Sequence, residues 1–457
     1  MEAIGPVRGF RSVLESKASA PLERTSRAYY LFIGVLALII AWGLFAYVLQ
    51  LREGLILTGM RDRVPWGLYI TMYVFFIGVS MAGTFISAIL RITKAGWRTP
   101  VTRAAEIVTV SSLIVAAMFI VFNSRQNPHL TLYKVIFHGR WESPVIWDVL
   151  GLATYLAGSV TYLYAALIPD MAFLRDTIGP RSNRLKRWAF NAFSLGWRDT
   201  PRQRRDLQRA LGLMMILIIP VAVTMHTVTS WLFAMTLREP WHSPMFGIYF
   251  VAGAVFSGVG IIVILIAILR KLLGLEEYIT KKHFLYLGYI LAAFSGAMFF
   301  LNVNEFVVHG YTLGGKIDLY LDDLLTGTMA PLYWGYFWGG IVLPVVIIAV
   351  PFTRTIAGVV VASVLVNVGM FIERYLIVVG GARLPLNPYD MPSYSPSWIE
   401  VSVTVGGIAA FILIIAVLLK LVPSVAVWEM VEGHSAEAGA GGAHPARGPL
   451  APEGGRA

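Results

Sequence analysis

Residues 65–90 read PWGLYITMYVFFIGVSMAGTFISAIL, 26 consecutive positions without one charged side chain. About 20 apolar residues in helical conformation cross the hydrocarbon core of a bilayer, so this stretch is long enough to span. Inside hydrocarbon each backbone N–H and C=O needs a partner from the protein, and a lone segment supplies those partners only as a helix. Working outward, comparable runs recur at Ala28–Gln50, Thr102–Asn123, Val145–Met171, Leu207–Met235, Phe246–Arg270, His283–His309, Leu332–Phe352, Ile356–Val379 and Trp398–Leu421. With Trp66–Leu90 they make ten. The expected fold is an all-α, polytopic integral membrane protein. Residues 1–27 precede the membrane domain of 28–422, and a tail from 423 to 457, rich in Gly, Ala and Pro, follows it and is expected to be disordered.

Composition agrees. Hydrophobic residues make up 57% of the 457 positions and charged residues 14%, against about 25% charged in soluble domains. A soluble enzyme with a large core does not need ten apolar runs of spanning length. The chain has no cysteine, which rules out disulfides and any iron–sulfur cluster held by its own thiolates. A haem held by two histidines is also disfavoured, because only His309 comes near His226 as a second membrane histidine. The net charge of +11 does not indicate nucleic acid, because the basic residues sit in the loops. Of the 37 Lys and Arg, 27 fall on the side that carries both termini and 10 on the other. The excess places both termini in the cytoplasm. The densest basic stretch, Arg181 to Arg209, is interleaved with Trp188, Phe190, Phe193 and Trp197. It reads as an amphipathic helix on the anionic inner leaflet.

Ionisable groups within spans are costly and mark function. Asp148 opens the fourth span at its outer end, and His226 lies in the outer half of the fifth among Thr224, Thr227 and Ser230. Asn302, Glu305 and His309 share one face of the seventh span. Glu373 and Arg374 end the ninth, and as neighbours they are expected to point to different sides. Glu400 begins the tenth. Near the inner ends, Glu106 is expected to pair with Arg103, and Asp170 with Arg175. An outer cluster of one imidazole, carboxylates, amide and guanidinium in an aromatic setting suits a quinone. Its carbonyls need hydrogen-bond donors, its reduction needs two protons, and its tail needs an apolar slot.

Several segments resemble the NrfD-like, or polysulfide-reductase-like, membrane subunits of respiratory complexes. They are Pro65–Leu90, RAAE (Arg103–Glu106), SPVIWDV (Ser143–Val149), LIPD (Leu167–Asp170), MHTVTSW (Met225–Trp231), TGTMAPLYW (Thr326–Trp334), NVGMFIERYLIVV (Asn367–Val379) and SPSWIE (Ser395–Glu400). The flavour is similar to the quinol-oxidising membrane subunits of alternative complex III. The resemblance implies two four-helix bundles, at about 66–235 and 246–379, with flanking helices. It implies menaquinone or ubiquinone bound at the outer side, with Asp148 and His226 as quinone or proton ligands. Tyr69, Arg125, His138 and Ser230 complete the expected site, and Glu106, Asp170, Glu305 and Arg374 the expected proton path. It further implies no haem, iron–sulfur cluster or other metal in this chain. The implied partners are a ferredoxin-like iron–sulfur subunit on the outer face and further membrane and redox subunits. The location implied is the inner, cytoplasmic membrane of a prokaryote. The sequence departs from the pattern at one place. Related subunits often carry a histidine close to an arginine at the outer end of the third span, where this chain reads Phe122-Asn123-Ser124-Arg125. His129 and His138 are the nearest alternatives. Two rival readings are a secondary transporter, for which Pro220 and Pro344 are the only mid-span breaks, and a membrane anchor without quinone chemistry.

Overall fold

The computed structural model describes residues 25–90, 95, 97, 99–123, 133–135, 137–181, 183–312, 316–387 and 390–423. Arg125, His129 and nearly all of the two terminal segments lie outside these. Among the described residues ten helices are long and apolar enough to cross a membrane, so the chain is an all-α polytopic membrane protein. They are α1 (Arg27–Glu53), α2 (Leu68–Ala88), α3 (Pro100–Phe122), α4 (Pro144–Thr177), α6 (Pro201–Ala234), α7 (Phe246–Leu272), α8 (Lys281–Tyr311), α10 (Ala330–Ala349), α11 (Ile356–Arg383) and α12 (Trp398–Leu421). Two shorter helices lie between spans, α5 (Arg184–Phe193) and α9 (Ile317–Leu325).

Local chemistry sets the ends. Thr200 and Gln203 form a reciprocal capping box at the start of α6, with Pro201 as the first helical residue, and Ser397 and Glu400 form another at α12. Each box satisfies two amides that would otherwise lack partners. Pro344 in α10 has no N–H to donate and crowds the preceding turn. The helix meets this by widening into a π-helical stretch over Gly335–Val342. Two more π-helical stretches occur at Thr84–Ile89 in α2 and Leu376–Gly380 in α11. Such stretches free backbone carbonyls from the regular ladder.

Helix α2 sits at the centre, packing most extensively on α3 and α7. The groups α2, α3, α4, α6 and α7, α8, α10, α11 each pack among themselves, and they meet chiefly along α2 and α7. Small residues allow that meeting. A Cβ on Gly258 of α7 would lie 2.8 Å from the Ala82 backbone nitrogen, so the two helices approach at backbone distance, as membrane helices do where dispersion drives association. Helices α1 and α12 pair outside both groups, with α12 resting on α3. Helix α1 is mostly exposed to what surrounds the protein.

One span, α4, separates Glu142 from Asn191, and both residues are exposed. Cysteines placed there in this cysteine-free chain are expected to react with an impermeant maleimide from opposite faces of the membrane. With the basic loops inside, Glu142→Cys reacts from the outer face. Reaction of both from one face would contradict the topology.

Candidate functional site

Two stripes of polar residues define the site. On α2 they are Tyr73, Ser80, Thr84 and Ser87, and on α4 Asp148, Tyr155, Ser159 and Tyr162. Both follow steps of 7, 4 and 3, which keep side chains on one face of a helix. Each α4 residue is 75 positions after its α2 counterpart, and three of the four pairs are hydrogen bonded. Because the two spans run in the same direction, the matched spacing builds a ladder of polar contacts through the bundle.

The outer rung is the Asp148 carboxylate, only 3% exposed. It accepts hydrogen bonds from the Tyr73 hydroxyl and, at 2.7 Å, from Thr229 Oγ1 of α6. The middle rung forms where the π-helical stretch of α2 begins. There the Ser80 carbonyl accepts from Thr109 Oγ1 of α3 at 2.7 Å and from the Tyr155 hydroxyl at 3.0 Å, and Tyr155 also meets Thr84 Oγ1 at 2.8 Å. The inner rung joins Ser87 to Tyr162 at 2.8 Å and to Glu106 of α3 at 3.0 Å. A cavity of about 20 Å³, lined by Thr84, Ser87, Glu106, Thr109, Ser159 and Tyr162, lies between the middle and inner rungs. Hydroxyls and a carboxylate are among its lining groups, and it is large enough for one water molecule. Below it, Arg103 donates to Glu106 at 3.1 Å and to Asp170 at 2.6 Å, with all three residues buried. One guanidinium thus serves two carboxylates.

The expected residues fall into three groups. His226 is fully buried and lies edge-on to Tyr155, their ring centres 6.4 Å apart. Its partners are not Asp148 but two backbone carbonyls, Ala222 at 2.6 Å from Nδ1 and Ile77 at 3.0 Å from Nε2. Tyr69 donates to Gln50 Oε1 at 2.6 Å, tying α2 to α1, and Ser230 Oγ donates back to Thr227 O at 2.6 Å. Neither contacts Asp148 by a hydrogen bond. His138 is exposed beside Tyr133 and is not part of the ladder. Glu106 pairs with Arg103 as expected. Asp170 does not pair with Arg175: it meets Arg103, while Arg175 binds its neighbour Asp176 at 2.7 Å. Glu373 and Arg374 do not diverge. They form a buried ion pair at 3.0 Å, because two long side chains can bridge the angle between adjacent helix positions, and the guanidinium also lies over the Phe250 ring. Nearby, Asn302 donates to Tyr249 and Tyr336, and Glu305 accepts from Ser243 and pairs with His309. These groups line a second cavity of about 70 Å³ in the other helix group. Tyr73, Thr229, Tyr155, Tyr162 and Ser87 escaped the sequence reading. Among the described residues no group of three or more His, Asp or Glu is arranged to hold a metal.

The sequence profile of the family described as polysulphide reductase, NrfD, matches residues 56–385, which hold the whole ladder. The chain belongs to the NrfD family. Its relatives in that family span most of its length. It is 27% identical over 420 residues to a protein of Halobacterium salinarum described as a dimethyl sulfoxide reductase membrane subunit, covering 86% of this chain and 91% of that one. It is 23% identical over 419 residues to a selenate reductase subunit of Mesobacillus selenatarsenatis, covering 86% and 94%. It is 24% identical over 441 residues to the Hdr-like menaquinol oxidoreductase integral membrane subunit of Archaeoglobus fulgidus, covering 90% and 98%.

Removing Arg103 from this NrfD chain takes a cation from two buried carboxylates, whereas neutralising Asp170 leaves the Arg103–Glu106 pair in place. Loss of one partner of a buried ion pair costs about 3–5 kcal/mol. Arg103→Gln is therefore expected to lower thermal stability in detergent clearly more than Asp170→Asn does. Equal melting temperatures for the two variants would contradict the shared-cation arrangement.

Proposed function

We propose that this chain is the quinone-handling membrane subunit of a prokaryotic respiratory oxidoreductase, with the quinone head group at the outer rung beside Asp148. The observation that carries the reading is Asp148 itself, a carboxylate buried at the outer end of a bundle and met by two hydroxyls at the head of a polar ladder. A buried carboxylate in a membrane span is costly, and structure alone would be served as well by an apolar residue. The menaquinol oxidoreductase named among the relatives supports a quinone, menaquinone in the first instance.

The residues present fit the ligand. A quinol supplies two electrons and two protons when it is oxidised. Asp148 can accept a proton at a carboxylate oxygen, while Tyr73 and Thr229 hold that carboxylate in place by donating to it, and their hydroxyl oxygens can accept from the quinol hydroxyl. His226 stands further in. A neutral imidazole donates to only one of its two carbonyl partners, Ala222 or Ile77, whereas the protonated ring donates to both. Protonation thus gains His226 a hydrogen bond, at the cost of a charge inside the bundle. Tyr155 and Thr84 link this level to the inner rung, where Glu106, Asp170 and Arg103 form the proposed inner proton path. Glu305 lines the second cavity and Arg374 pairs with Glu373 on its wall, a separate polar route in this reading.

The chain has no cysteine to hold a cluster. Electrons therefore leave or enter through a partner, proposed to be an iron–sulfur subunit docked on the outer face, within a complex of further membrane and redox subunits. The reading places both termini on the cytoplasmic side of the cell membrane.

General acid–base groups contribute about 10²–10⁴-fold to rates. Asp148→Asn is expected to lower quinol turnover by about 10²-fold or more in complexes that still assemble, and His226→Ala to lower it as well. Because both serve one proton-transfer step, the double variant is expected to be little worse than the worse single one. Assembly is followed by size-exclusion chromatography and turnover by quinol oxidation. Normal turnover in a well-assembled Asp148→Asn complex contradicts the reading.

A further inference from the structure

The ladder leaves the basic stretch between α4 and α6 unused. Residues 178–209 hold nine Lys and Arg and two acidic residues, Asp199 and Asp206. Each acid already faces an arginine, Asp199 with Arg204 and Asp206 with Arg202. The segment therefore carries a surplus of positive charge on the face that the loop charges place inside.

Helix α5 fixes how that charge is presented. Asn183 caps its first turn by accepting from the Lys186 amide. Its far end is clamped to α4. The Tyr164 hydroxyl donates to the Phe193 carbonyl at 3.3 Å, and Arg175 donates to Ser194 Oγ and to the Trp197 carbonyl. Arg187 is used inside the segment, donating to the carbonyls of Gly179 and Pro180. Phe190 turns back onto the core, but Leu185 is 72% and Trp188 63% exposed. With Ala192 they share one arc of the helix, since their positions 185, 188 and 192 step by three and four. Arg184 and Lys186 flank this arc and are exposed.

We infer that α5 forms a binding surface for anionic phospholipid head groups. The arc of Leu185, Trp188 and Ala192 enters the acyl region, and a lipid phosphate lies beside Arg184 and Lys186. An apolar arc flanked by cations is the pattern of a helix lying in the membrane interface. The flanking guanidinium and ammonium groups favour an anionic head group over a zwitterionic one.

The test uses the full chain in its purified complex, reconstituted into nanodiscs of phosphatidylcholine with or without phosphatidylglycerol. A spin label is attached to Leu185→Cys, with Asn191→Cys, on the polar side, as control. The label at 185 is expected to be relaxed by oxygen and shielded from a water-soluble nickel chelate, and the label at 191 to show the reverse. Lipid retained through detergent exchange is then weighed by mass spectrometry. Each basic residue near an anionic surface contributes about 1 kcal/mol. The doubly substituted Arg184→Gln, Lys186→Gln chain is therefore expected to lose its preference for phosphatidylglycerol over phosphatidylcholine by about thirtyfold. Any of three results overturns the inference: a nickel-accessible label at 185, a label shielded from both reagents as a covering protein would shield it, or equal retention of the two lipids.

Discussion

Helix α2 is enclosed by protein on nearly every side, and apart from the small cavity beside Thr84 and Ser87 there is no room for water or lipid to satisfy the polar groups it carries. Tyr73, Ser80, Thr84 and Ser87 must therefore be met by neighbouring helices, and that requirement organises the first bundle. Helix α4 meets them with a stripe of the same spacing, α3 adds Thr109 and Glu106, and α6 adds Thr229. The close backbone approach at Gly258 presses α7 against α2 from the other side. Polar satisfaction and small-residue packing thus act on the same helix.

The same accounting explains where charge is tolerated. Arg103 lies between Asp170 and Glu106, so one guanidinium faces two carboxylates at that end of the bundle. In the second helix group Glu373 and Arg374 pair with each other, and the nearby polar side chains of Asn302, Tyr249 and Tyr336 are neutral.

The fold was legible because the hydrophobic signal is long-range in sequence and needs no partner: a 26-residue uncharged run is a span wherever it occurs. The costly side chains were legible too, since Asp148, His226, Glu106 and Asp170 all stand out against apolar surroundings. Their partners were not. A tyrosine in a membrane span reads as an interfacial anchor or packing residue, so Tyr73, Tyr155 and Tyr162 passed unnoticed. The matched steps of 7, 4 and 3 in residues 73–87 and 148–162 were the one signal that could have found them. Asp170 was given to Arg175 because pairing was judged along the helix, whereas Arg103 reaches it from 67 positions away. Asp148 and His226, both expected at the site, are not hydrogen bonded to each other: His226 lies one helical turn before Thr229, and its ring is taken up by backbone carbonyls.

The central claim is that a quinone head group sits at the outer rung of the first bundle. A photoreactive quinone carrying its azido group on the ring, bound to the purified complex and mapped by peptide mass spectrometry, tests it most directly. The account predicts crosslinks on α2 near Tyr73 and on α4 or α6 near Asp148 and Thr229, competed by excess quinone. Competable crosslinks confined to the second helix group, around Asn302 and Tyr336, would contradict it.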